Sequence, residues 1–81
     1  MLKIINELRF FFADHSRKIN VREYARLSKI SPPTASKLLE GYAKEKLLKK
    51  EVFRNFIFYS ANSNNQDFKD LERIYQREKK K

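Results

Sequence analysis

Cysteine and tryptophan are absent from this 81-residue chain, glycine occurs once and proline twice. Without cysteine there is neither a disulfide staple nor a thiolate metal site. A reducing compartment permits that absence, and a cytoplasmic location is expected. No apolar run approaches the ~18 residues that a spanning helix needs, so no membrane partner is expected. The opening "MLKIINELRFFF" is interrupted by Lys3, Asn6, Glu7 and Arg9, which is not the pattern of a secretory signal. One glycine cannot make a glycine-rich phosphate loop, no carboxylate pair has a base beside it, and the single histidine, His15, stands in a polar stretch. No catalytic residue, metal ligand or cofactor is expected, and the chain does not read as an enzyme.

What is present is charge and aromatic surface. Nineteen Lys and Arg against ten Asp and Glu give a net charge of +9. Between Ser16 and Arg54 eleven basic residues face four acidic ones, so the excess is not confined to the closing "REKKK". On a domain this small such a balance suits a polyanionic partner. The bland alternative is solubility. Seven phenylalanines and four tyrosines make the chain too apolar to stay disordered.

Helical spacing of Ile5, Leu8 and Phe12, widened by Leu2 and Phe11, predicts a first helix over residues 2–13. Phe10, Phe11 and Phe12 fan over roughly 200°, so Phe10 must find a surface outside the main core. Asn20 and Glu23 form the frame of a capping box that opens a second helix, with Val21, Tyr24, Ala25 and Ser28 inward. A third helix starts at Ser31, the cap, with Pro32 and Pro33 in the first two positions, where a missing N–H costs nothing. Its buried stripe is Ala35, Leu38, Leu39 and Tyr42. Its outer face carries Pro33, Ser36, Lys37, Glu40 and Lys44.

From Leu47 the period changes to two. "LLKKEVF" and "NFIFYSA" flank Arg54–Asn55 and read as a β-hairpin. Ile57, Tyr59 and Ala61 share one face of its second strand. Phe56 and Phe58 share the other, which is too apolar for open solvent. A fourth helix follows "NSNNQ", with Phe68, Leu71, Ile74 and Tyr75 on one side. Two ways of covering the surplus phenylalanines are open. The fourth helix folds back over Phe56 and Phe58, or helices one and four form a homodimer interface.

The segments "INVREYARLSKISPPTASKLLEGYAKEKLLKK" and "NFIFYSAN" resemble the winged helix-turn-helix family, in the broad ArsR/MarR-like sense. The resemblance spans residues 2–62. It implies an α+β, mainly α, fold: a three-helix core, a β-hairpin wing and a C-terminal helix. Residues 1–62 would be the winged-helix domain and 63–81 a C-terminal helix and basic tail serving dimerisation or linkage. The chain departs from the family pattern at Lys29 and Lys46, where such proteins commonly carry glycine in a left-handed conformation. The wing followed by "QDFKDLERIYQ" is also similar to the winged-helix segment that precedes the catalytic domain in some archaeal-type nucleotidyltransferase proteins. That second resemblance implies the DNA-binding half of a larger protein.

The family's mode of action implies sequence-specific binding of double-stranded DNA by a transcriptional regulator, with helix three in the major groove. Lys37 is best placed to meet a guanine edge, and Ser36 and Thr34 reach bases or phosphate. Arg54 and Asn55 at the wing suit the backbone or minor groove. Arg17, Lys18 and Arg22 beside helix two would neutralise phosphates, and Ser31, Lys44 and Lys50 complete the candidate surface. Glu40 either accepts from a cytosine amine or, the favoured reading, pairs with Lys44 four residues on. Gly41 marks either close approach of a DNA backbone or packing against a neighbour. The competing function class is a protein-interaction or dimerisation module, and an RNA-binding winged helix lies between.

Overall fold

Ile5, Leu8, Phe11 and Phe12 line the buried side of α1 (Lys3–Ala13) in the computed structural model, which describes residues 3–79. Leu2, the expected start of that stripe, lies outside the described residues. The order continues with α2 (Val21–Ser28), α3 (Pro32–Lys44), β1 (Leu48–Phe53), β2 (Phe56–Ala61) and α4 (Gln66–Lys79). The chain is α+β and mainly helical, with four helices and one two-stranded antiparallel hairpin among the described residues.

The three consecutive phenylalanines fan out as a 3.6-residue turn requires. Phe11 and Phe12 are buried. Phe10 meets Tyr24 edge-on, with ring centroids 6.0 Å apart, and Phe11 stacks on the same tyrosine at 6.3 Å. The Tyr24 hydroxyl donates to the Glu7 carbonyl at 2.7 Å, and burial raises its pKa. Tyr42 of α3 donates to the Glu7 carboxylate. One residue of α1 thus holds both α2 and α3.

α2 and α3 begin and end by the same devices. Asn20 Oδ1 accepts the Glu23 N–H at 2.8 Å, and Ser31 Oγ accepts the Thr34 N–H at 3.4 Å. The expected capping box at α2 is only half built. The Glu23 carboxylate turns to Arg17 at 3.1 Å, a charged partner that outcompetes the Asn20 amide. Pro32 and Pro33 occupy the first two positions of α3 as expected.

At the far ends, Lys29 has φ 58° and Lys46 has φ 67°. The Ile30 N–H reaches the Ala25 carbonyl at 3.0 Å, and the Leu47 N–H reaches the Tyr42 carbonyl at 2.9 Å. Both are the six-to-one bond of a Schellman motif, which satisfies helix carbonyls but demands a left-handed residue. A lysine there costs about 1 kcal/mol relative to an unstrained residue.

The hairpin register runs from Leu48↔Ala61 to Phe53↔Phe56. Leu48, Tyr59 and Ala61 are buried. Ile19 bridges to Tyr59 through two 2.8 Å backbone bonds, so the segment before α2 lies along β2. Asn62 binds back to Leu47 and Lys46. α4 therefore leaves from the base of the hairpin and docks on α1. Phe68 lies 5.0 Å and Tyr75 5.3 Å from the Phe12 ring. His15 Nε2 is hydrogen-bonded to Glu72. α4 accordingly packs on Phe12, because its origin is fixed at the base, and Phe56 at the tip stands exposed. The apolar sides of α1 and α4, one candidate dimer surface, pack on each other within the chain.

Candidate functional site

α3 is clamped by Ala35 and Leu39, both fully buried, which turns Pro33, Thr34, Lys37, Glu40, Gly41 and Lys44 to solvent. Ser36 is half-buried at the edge of this face. A Cβ placed on Gly41 would meet nothing within 4 Å. Packing against a neighbour within the chain is thus not the reason for glycine there. Gly41 is open ground between two shallow grooves. One is lined with Glu40, Ala43, Lys44 and Lys50, and the other with Lys37, Leu38, Tyr42 and Glu45.

Glu40 does not take Lys44 as its partner. Its Oε1 accepts from Lys50 Nζ at 2.7 Å and from the Tyr59 hydroxyl at 2.8 Å. These donors face each other across the hairpin, Lys50 on β1 and Tyr59 on β2. Two converging donors from a packed sheet win over one flexible lysine on the same helix. The Lys50 bond first, then the Tyr59 bond, hold the Glu40 carboxyl below its ordinary value. Burial first, then the bond to Glu40, push the Tyr59 hydroxyl well up. Glu40 is therefore a strut between α3 and the hairpin.

The eleven candidate residues divide by what already holds them. Arg17 is paired with Glu23 at 3.1 Å, Lys18 with Glu51 at 2.8 Å and Lys50 with Glu40. Ser31 Oγ donates to Thr34 Oγ1 at 2.9 Å, so these two hydroxyls serve each other. Among the described residues Arg22, Lys37, Lys44 and Arg54 form no ion pair. All four are exposed, as is Asn55. Arg22 and Asn55 border one groove, between the start of α2 and the hairpin. Lys44 and Lys50 border another, between α3 and β1. The structure does not draw Arg17 and Lys18 into either.

Sequence reasoning missed the outer half of the hairpin. The strand pattern singles out Phe56 and Phe58 as too apolar for solvent and gives no place to Val52 and Phe53. Phe58 is half-buried, but Val52, Phe53 and Phe56 stand exposed. The signal was present as two phenylalanines flanking Arg54–Asn55. Arg54 itself has φ 56°, a third left-handed residue, at the turn. Among the described residues no three His, Asp or Glu side chains gather as a metal-binding group, and no helix is long and apolar enough to cross a membrane.

Comparison with protein-family models, with curated proteins and with solved structures finds no match to this chain.

Proposed function

We propose that the chain is a winged helix-turn-helix module that binds double-stranded DNA and acts in transcriptional regulation. α2 and α3, joined across the left-handed Lys29, form the helix-turn-helix, and the β1–β2 hairpin is the wing. α3 enters the major groove, and the wing rests on the backbone or the adjacent minor groove.

The observation that carries this reading is the outer face of α3. It is exposed, unobstructed at Gly41, and holds Lys37 and Lys44, which form no ion pair among the described residues. At thirteen residues the helix is about 20 Å long, and a bare helix face fits the ~12 Å major groove. Pro32 and Pro33 remove two of the N–H groups with which a helix start would bind phosphate. Charge must then come from side chains: Lys37 and Lys44 on α3, Arg22 on α2 and Arg54 on the wing.

The test is a titration of the chain with equal lengths of duplex DNA, single-stranded DNA and RNA hairpin, followed by fluorescence anisotropy. Tightest binding to the DNA duplex is expected. Tighter binding to RNA, or none to any of the three at low salt, would contradict the proposal.

A further inference from the structure

Four apolar side chains are exposed at the hairpin tip: Val52 at 67%, Phe53 at 63%, Phe56 at 58% and Ile57 at 38%. They form the last two cross-strand pairs before the turn, Val52 with Ile57 and Phe53 with Phe56. Strand pleat puts one pair on each face, so the tip is apolar on both sides. Phe58 lies behind Phe56, with ring centroids 6.2 Å apart. The Arg54 guanidinium lies 5.5 Å from the centre of the Phe53 ring. Arg54 and Asn55 form the apex.

An exposed apolar hairpin tip is an aggregation hazard unless it has an occupant. A second copy is disfavoured by charge: each chain carries +9 and brings an arginine at its own apex. A lipid bilayer would have to admit the apex first, and the apex is a guanidinium and an amide. The apolar residues lie behind it. Nucleic acid matches that order, because a cation and an amide can lead into a groove while rings behind them meet base faces. A ring stacks on a base only where the base has left its neighbours.

Resting on the duplex-binding reading above, we propose that the hairpin tip is a wedge for an unstacked base. Phe53 and Phe56 supply the stacking surface, and Arg54 and Asn55 engage the adjoining phosphate and base edges. Arg22, which shares a groove with Asn55, Phe56 and Ile57, neutralises the next phosphate. The favoured ligand is therefore double-stranded DNA that contains a bulge or an unpaired base, over the same duplex fully paired.

The experiment uses the full chain and two DNA duplexes of equal length, one perfect and one with a central bulge carrying 2-aminopurine. Wild type is expected to bind the bulged duplex about tenfold tighter, on the scale of one base–aromatic stack, with a change in 2-aminopurine emission. The double variant Phe53→Ala, Phe56→Ala is expected to keep its circular dichroism spectrum and to bind the two duplexes alike, losing the preference and the emission change. Equal wild-type affinity for the two duplexes would overturn the wedge and leave duplex binding standing. So would an equal loss on both duplexes in the variant. Failure to bind either duplex would overturn the wedge together with the reading on which it rests. Tip-dependent binding to phosphatidylserine vesicles, or tip-dependent dimers in sedimentation, without a bulge preference would assign the surface to those occupants instead.

Discussion

The Tyr59 hydroxyl donates to Glu40 Oε1 at 2.8 Å, joining the second strand of the hairpin to the outer face of α3. A hairpin attached only by its base could swing relative to the helix. This bond, with the Lys50 bond to the same oxygen, sets one angle between them.

Glu40→Gln is therefore expected to loosen the hairpin while leaving the helical core intact. The Glu40 side chain is 46% exposed, so the loss should be under about 1 kcal/mol at neutral pH. Its folded pKa lies below the ordinary value of 4.5. The stability it adds is present above that value and is lost as pH falls through the lower, folded one. Wild type should thus lose its advantage over Glu40→Gln on acidification. Denaturant melts of both proteins across the acid range check this, and a constant gap between them would contradict it.

Lys29 and Lys46 hold left-handed positions that glycine occupies without strain. Lys46→Gly is expected to stabilise the domain by up to about 1 kcal/mol, a rise of ~4–8 °C in Tm for a chain of this size. Lys29→Gly should act in the same direction. A fall in Tm for both would mean that the lysine side chains contribute something the backbone angle does not account for.

Pro33 sits exposed in the first turn of α3, where its value is to the unfolded chain. Pro33→Ala should lower stability by about 0.4–1 kcal/mol by restoring conformational freedom to that chain. Duplex affinity should hold or rise slightly, because an N–H returns to the positive end of the helix. A loss of affinity on a cognate site alone, with unchanged stability, would show that the proline ring reads sequence.

Element order and the caps at Asn20 and Ser31 were legible in the sequence, because each depends on a few neighbouring residues. The positive φ of Lys29 and Lys46 was suggested only by the family resemblance, which left a different backbone open. The destination of α4 was not legible. It depends on Asn62 being pinned to Lys46 and Leu47, a contact no local pattern announces. The partner of Glu40 was missed for a related reason. Four-residue spacing points to Lys44, whereas the strand pairing that brings Lys50 and Tyr59 together is long-range. At the candidate surface, residue type alone could not separate Arg22 and Lys37, which form no ion pair among the described residues, from Arg17 and Lys18, which are held by Glu23 and Glu51.

Lys37 and Arg22 should differ in what they contribute. Lys37 projects from the exposed face of α3, and Arg22 stands at the start of α2. Lys37→Ala is expected to weaken binding to a selected cognate duplex by about 1–3 kcal/mol and to random duplex by less. Arg22→Ala should weaken both alike. Equal losses for Lys37→Ala on the two duplexes would reduce Lys37 to a phosphate contact.

The most direct test of duplex binding is its salt dependence, measured as the slope of log affinity against log salt concentration. Four to six phosphate contacts from Arg22, Lys37, Lys44, Arg54 and their neighbours should give a slope of about −4 to −5. A slope near zero, or no duplex binding at low salt, would contradict the account.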